Sequence, residues 1–424
     1  MRSLDRKLAA IHADPSGCRE FIIADAKDAD MAFGIGAPGK SPESHAGEVR
    51  LRTLAEYREQ IREITRQGLV DIMLMSASTS YQLTIQERLF DGSHVTPAAR
   101  ANDTSDVFVV RGANYLESPA QPFCSATLDH IQCGHVDCAP DERVRGANLG
   151  LYSVTFTNRL EDDLRTLEAY RAFRIEAERV GFRHFLEVFD PNVPVGMASD
   201  VLPGYINDSI ARTLAGVAGP GRPVFLKVVY HGPKAMEELV AYDPHLIVGI
   251  LGGGAGTTYD AFKLIAEAQK YGARVALFGR KINNAENQLA FVNFLRLIVE
   301  REITPEDAVR AYHGVLEKLR IKPQRSLADD LVLQTNVMSY GGSSVSVPVA
   351  IPASNTTPSA PNQLGPITVG APKKKDCGCG CGGKSPTKCG TKPESSNGTP
   401  NFEKMSAAEK LAYNQAKRDR IFGK

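Results

Sequence analysis

The run Pro223-Val224-Phe225-Leu226-Lys227-Val228-Val229-Tyr230 decides how the rest of the chain reads. It is apolar on consecutive positions, not alternate ones, as expected of a parallel strand covered on both faces. Seven more strand-like runs lie at residues 21–25, 70–75, 94–99, 149–156, 184–189, 246–251 and 275–279, and with 224–229 they make eight. Helical patterns separate them, at 54–67, 160–180 and 261–271. In the last, Phe262, Ile265, Ala266 and Gln269 share one face at helical spacing. Two more helices follow, at 288–299 and from Thr304-Pro305-Glu306-Asp307, which supplies an N-cap, an N1 proline and first-turn acids. Eight such strands with interleaved helices predict an α/β fold, a (β/α)8 TIM barrel over residues 1–338, with a doubly wound sheet as the alternative. The connection over 104–146 is long and irregular, an insertion that covers the site or meets a partner.

Composition sets bounds. The chain has 424 residues, 42% hydrophobic, with a formal net charge of +1, so no global field points to nucleic acid or an acidic membrane. No apolar run reaches the roughly 18 residues of a membrane span. The N-terminus has mixed charge and no apolar core of a signal peptide. The eight cysteines fall in local groups, which predicts reduced thiols and a cytoplasmic location. Past Tyr340 the composition breaks to Gly, Ser, Pro, Thr, Asn and Lys, so 339–400 reads as a disordered linker. Residues 401–424 read as a short amphipathic helix with capping-box spacing at Ser406-Ala407-Ala408-Glu409.

Lys227 sits inside its apolar strand, where poor solvation favours the neutral amine, a nucleophile able to condense with a carbonyl as a Schiff base. The competing reading is a lysine that snorkels to solvent. In a barrel the chemistry gathers at the carboxyl ends of the strands. Those ends carry Asp25, with Lys27 and Asp28 just after, then Glu187 and Asp190, carboxylates suited to moving the protons of imine chemistry. Each alone is more readily a cap or turn residue, and Asp190 before Pro191 reads most like one. Gly252-Gly253-Gly254-Ala255-Gly256-Thr257 and Gly279-Arg280-Lys281 follow the last two strands, where barrels hold phosphate on backbone amides and helix N-termini. The glycines match neither the dinucleotide fingerprint nor a Walker motif.

These residues carry a family resemblance. Arg222-Pro223-Val224-Phe225-Leu226-Lys227-Val228 resembles the imine-lysine strand of the class I, Schiff-base aldolases of the archaeal-type fructose-bisphosphate and tagatose-bisphosphate superfamily. Gly252-Gly253-Gly254 and Gly279-Arg280-Lys281-Ile282-Asn283 resemble their phosphate loops, Phe185-Leu186-Glu187 the strand-five glutamate, and Ile22-Ile23-Ala24-Asp25 the strand-one aspartate segment. The resemblance implies a lyase of carbohydrate metabolism. Lys227 is then the imine lysine, with Glu187 and Asp25 as proton carriers. Gly252, Gly253, Gly254, Thr257, Gly279, Arg280 and Lys281 hold the phosphate of a small-molecule substrate. It implies no cofactor for catalysis, and association into homo-oligomers. Phe189-Asp190-Pro191 stands where the fructose branch carries a tyrosine acid.

Two features lie outside that reading. Cys124, Cys133, His135 and Cys138 form a candidate structural zinc site in the insertion, and a zinc-dependent barrel built on Cys133, His135 and Cys138 is a rival to the imine mechanism. Cys377, Cys379, Cys381 and Cys389 in the linker are candidate soft-metal ligands. The tethered terminal helix resembles the encapsulation peptides of microcompartment enzymes, which implies docking to a shell or other assembly by a helix-in-groove contact. A third reading is a non-catalytic scaffold or metal-handling protein that docks through this tail.

Overall fold

Consecutive apolar residues make strands whose two faces must both be covered, and the structure covers them. It is a computed structural model, and it describes residues 1–335 apart from 46–47, 108–109 and 255, with the side chains of 41–49 also left out. The expected linker, its four cysteines and the terminal helix lie outside the described residues. Eight parallel strands close into a barrel in chain order: β1 (Ile22–Lys27), β2 (Ile72–Met75), β3 (Thr96–Arg100), β4 (Leu149–Thr155), β5 (Arg183–Phe189), β6 (Leu226–Val228), β7 (Val248–Leu251) and β8 (Val275–Phe278). Closure sets Ile22 against Val275 and Asp25 against Phe278. The doubly wound alternative is excluded.

Strand alternation divides the apolar residues into two populations. Ile22, Ala24, Ile72, Leu74, Leu149, Leu151, Phe185, Phe225, Val275 and Leu277 pack inside the barrel. Ile23, Met73, Tyr152, Leu186, Leu226, Val248 and Phe278 belong to the larger core under the helices. The interior is therefore a filled core, not a channel.

Its lower end is closed by α1 (Ser3–Ala13), an element absent from the sequence reading. Leu4, Leu8 and Ile11, at i, i+4 and i+7, join the interior cluster. Lys7 on the same helix donates to the Phe21 carbonyl at 2.7 Å and to Asp71 at 2.9 Å, and Asp71 also accepts from Arg296 at 2.8 Å. Burial works against the Asp71 carboxylate, yet Arg296 and Lys7 together hold it below its ordinary value.

The outer helices are α2 (Leu54–Gln67), α3 (Leu160–Arg179), α4 (Leu202–Ala215), α5 (Pro233–Tyr242), α6 (Thr258–Lys270), α7 (Arg280–Asn284), α8 (Gln288–Val299), α9 (Pro305–Lys318) and α10 (Leu327–Asp330). Helix α6 starts three residues before the expected 261, because Thr257 and Asp260 form a capping box that sets its first turn. Strand β3 runs to Arg100, one residue past the expected end, since its guanidinium turns inward instead of leaving the sheet. No helix among the described residues is long and apolar enough to cross a membrane.

The insertion after β3 holds only small elements: the antiparallel pair Asp103–Thr104 and Pro122–Phe123, and the short helix Leu128–Gln132. Beyond it Cys133 and Cys138 form a disulfide, which corrects the expectation of reduced thiols for this pair. Gly134 and Asp137, both at positive φ, fold the intervening turn back on itself and bring the two Cα atoms to 6.1 Å.

Candidate active site

The same alternation that fills the barrel aims Phe225, Lys227 and Val229 inward from β6, and Phe185, Glu187 and Phe189 inward from β5. Lys227 and Glu187 are opposite one another in the register, and Ser153 of β4 is opposite Glu187 on its other side. Lys227 Nζ lies 2.5 Å from Glu187 Oε1, and Ser153 Oγ donates to Glu187 Oε2 at 2.7 Å. Arg100 Nη2 lies 3.5 Å from that same oxygen. The Arg100 Nε–H donates to Asp28 Oδ2 at 2.6 Å, and its Nη1 lies 3.9 Å from Asp103 Oδ1. Lysine, arginine and three carboxylates are all buried here. Charges so far from water persist only because each is paired and hydrogen-bonded.

The electrostatics follow from this pairing. Burial opposes the charge on Arg100, but Asp28, Glu187 and Asp103 together hold its pKa above the ordinary value. Burial pushes the Asp103 carboxyl up to about 6, against the pull of Arg100. It also raises Asp106, which accepts from the Thr155 hydroxyl at 2.8 Å. Lys227 is thus buried, as expected, with the Glu187 carboxylate beside it. One step toward the mouth, Val107, Phe189, Val229 and Leu251 form an apolar collar. Beyond the collar His231 Nε2 and Asp190 Oδ1 are 2.8 Å apart.

Asp25 is not in this group. On β1 the inward positions are Ile22 and Ala24, so Asp25 and Lys27 face the helix layer. Lys27 Nζ lies 3.4 Å from Asp25 Oδ2, donates to Gln288 Oε1 of α8 at 3.0 Å and sits over the Tyr57 ring of α2. The inward carboxylate at the end of the first strand is Asp28. The sequence reading noted Asp28 in passing and missed Arg100 and Ser153. Arg100 at the end of an apolar run was the available signal.

The two anion-friendly loops are only partly open. Thr257 is fully buried as the α6 N-cap, with its hydroxyl between Asp260 (2.9 Å) and the Val332 carbonyl (3.0 Å). The Thr257 and Thr258 amides donate to Asp260 and Asp330, so carboxylates of this chain occupy the helix N-terminus. Lys281, pushed down to about 8 by burial, donates to the Gly256 and Thr257 carbonyls at 2.7 and 2.9 Å. Gly252 donates its amide to Leu277, and a Cβ there would overlap the Phe278 ring. A Cβ at Gly279 would sit 2.6 Å from the Ala26 carbonyl. Packing therefore accounts for Gly252, Thr257, Gly279 and Lys281. Gly253 adopts a positive φ, and Gly254 leaves room for the Arg280 guanidinium, whose Nε a Cβ would approach to 2.7 Å.

The Cys/His cluster does not assemble as a four-ligand zinc site. Cys133 and Cys138 are bonded to one another and so offer no thiolates, and Cys124 is exposed and apart. Among the described residues the ligand atoms of Cys133, His135 and Glu142 lie within 4.8 Å of one another, without Cys124 or Cys138.

Fold and site together define a (β/α)8 barrel with a buried lysine–carboxylate pair near the carboxyl ends of its strands. No family model and no curated protein matches the chain. Among solved structures, a fructose-bisphosphate aldolase from Slackia heliotrinireducens DSM 20476 is 12% identical with a TM-score of 0.51, covering 74% of this chain and 92% of its own. A Schiff-base-forming fructose-1,6-bisphosphate aldolase is 15% identical with a TM-score of 0.49, covering 69% of this chain and 99% of its own. An archaeal fructose-1,6-bisphosphate aldolase, solved with its catalytic lysine bound to the carbinolamine intermediate, gives the same figures. The likeness is one of fold.

Proposed function

We propose that the chain is a class I, aldolase-like lyase that forms a Schiff base between Lys227 and a phosphorylated ketose or keto substrate. The observation that carries this is the placement of Lys227. Lys7 and Lys27 are also buried, but Lys7 lies under the barrel on Asp71 and Lys27 lies in the helix layer. Lys227 alone of the three points into the interior below the mouth.

In this reading Glu187, 2.5 Å away, takes a proton from the Lys227 ammonium. The freed amine attacks the substrate carbonyl, and the proton that its nitrogen gives up passes to the carbonyl oxygen to give a carbinolamine. Glu187 then returns its proton to that hydroxyl, which leaves as water, and the iminium remains. When the bond between the α and β carbons breaks, its electron pair forms the carbon–carbon double bond of an enamine as the iminium pair returns to nitrogen. The hydroxyl on the departing fragment loses its proton to a carboxylate and becomes an aldehyde. Asp28 takes that role in place of Asp25, and Arg100 holds it. Protonation of the enamine at carbon and hydrolysis by water restore Lys227. Gly253, Gly254 and Arg280 grip the phosphate. The route uses no cofactor.

Borohydride reduction in the presence of a panel of phosphorylated ketoses and aldehydes tests this. A stable mass adduct on Lys227 is expected, absent in Lys227→Ala and retained in Lys27→Met. An unlabelled Lys227 across the panel, or an adduct that survives Lys227→Ala, rules the mechanism out.

A further inference from the structure

At the end of the barrel opposite Lys227 lies a cavity of about 520 Å³, beside the starts of β3, β4 and β5. Arg2, Arg143, Arg179 and Arg183 line it, together with the side-chain amides of Gln132 and Asn148, and its lining includes no acidic residue. Four guanidinium groups around one cavity repel one another unless countered. Two have counter-ions: Arg183 pairs with Asp5 at 2.7 Å and Arg143 with Asp129 at 2.8 Å. Arg2 donates instead to the carbonyls of Phe90, Ser93 and Val95, which bind the group without neutralising it. Burial, partly offset by Asp91 and Asp5, lowers its pKa. Arg179 at the end of α3 is exposed, with no ion-pair partner among the described residues.

We propose that this cavity is a binding site for a phosphorylated small molecule, separate from the barrel mouth. Arg2 and Arg179, neither of which forms an ion pair among the described residues, supply the charge, and their planar forks suit phosphate oxygens. The volume falls within the range of small-molecule sites. One wall is held in place before any ligand arrives. Arg143 donates to Gln132 Oε1 at 2.7 Å and to the Cys138 carbonyl at 3.3 Å, and the Cys133–Cys138 disulfide anchors that carbonyl's turn. Pre-ordering of this kind lowers the cost of binding. A second, apolar wall of Pro97, Val144 and Val180 gives room for the uncharged part of the ligand.

Calorimetry on the full chain with inorganic pyrophosphate and with ADP tests the site. The expected result is binding that persists in Arg280→Ala, which alters only the mouth. Arg179→Glu should weaken it about tenfold or more, the worth of roughly one charge-assisted hydrogen bond. Val144→Glu, at an 84% exposed position on the rim, should weaken it in the same direction with melting temperature unchanged. Tighter binding of ADP than of pyrophosphate assigns the site to a nucleotide, and equal binding assigns it to the phosphate group alone. The site is disproved if neither probe binds, or if binding is lost in Arg280→Ala and unmoved by Arg179→Glu. Borohydride labelling of Lys227 is indifferent to all of these outcomes, so the two proposals stand or fall separately.

Discussion

At the scale of single residues, the pair Lys227–Glu187 carries most of the chemistry. Removing one partner of a buried ion pair leaves the other charge uncompensated, at a cost of about 3–5 kcal/mol. Glu187→Gln keeps the shape and an acceptor for Ser153, so its cost should fall near the lower end. Its larger effect is kinetic: loss of a positioned proton carrier should slow turnover by about 10²–10⁴-fold. Borohydride should still label Lys227, but slowly. If turnover in Glu187→Gln stays within twofold of the parent, Glu187 is not the proton carrier. A second residue-level prediction concerns Asp25, which burial raises to about 6 despite Lys27. Unfolded, this carboxyl titrates near 3.8. Between those values the native chain holds a proton that the unfolded chain has released, so stability falls as pH rises. The fall is complete above about pH 6 and amounts to up to roughly 3 kcal/mol. Urea denaturation at pH 4.5 and pH 7 should show that Asp25→Asn/Lys27→Met loses less stability over this interval than the parent. Equal losses would show that Asp25 does not titrate as described.

At the scale of elements, what was legible and what was not have one physical cause. A strand apolar on both faces announces itself by a continuous run, so all eight strands could be read from the chain. The same continuity hides which face is which. Asp25 and Asp28 follow one another closely, and only the register of β1 against β8 shows that Asp25 faces the helices while Asp28 faces the barrel. In β6 the charge itself marked the site, and Lys227 was found. Arg100 was missed although a charge at the end of an apolar run was there to be read, and Ser153 is too small to interrupt one. The loop after β7 was read as open to anions, but the residues that close it, Asp330 and Val332, lie more than seventy positions along the chain. Helix α1 was overlooked although Leu4, Leu8 and Ile11 have helical spacing, because Asp5, Arg6 and Lys7 interrupt its apolar residues. Its packing makes a prediction. Leu4 is fully buried in the barrel floor, so Leu4→Ala should destabilise the fold by about 2–5 kcal/mol. Leu160→Ala, at a 76% exposed position, should change stability by less than about 0.5 kcal/mol. Comparable losses from both would place α1 outside the core.

At the scale of the molecule, the final described segment links the end of the barrel domain to its proposed phosphate end. Helix α10 and the residues to Thr335 lie across the start of α6. Asp330 accepts from the Thr258 amide at 2.8 Å and pairs with His313 of α9 at 3.0 Å. Asp260 in turn accepts from the amides of Gln334 and Thr335 and from the Thr335 hydroxyl. These contacts hold Asp260 below its ordinary value although burial opposes this. They also fix the first turn of α6, and Lys281 reaches from the next loop to the carbonyls of Gly256 and Thr257. The strap therefore belongs to the barrel. A chain ending after residue 338 should keep the melting temperature and the Lys227 adduct of the full chain. One ending after residue 325 loses the carboxylate cap of Asp330 and the backbone donors to Asp260, each worth about 1 kcal/mol. It should melt several degrees lower and bind substrate phosphate more weakly at Gly253, Gly254 and Arg280, while unphosphorylated analogues bind as before. Differential scanning calorimetry of the three lengths, with borohydride trapping on each, checks this. If the chain ending at 325 matches the one ending at 338 in both measurements, the strap is dispensable and the loop after β7 is ordered by the barrel alone.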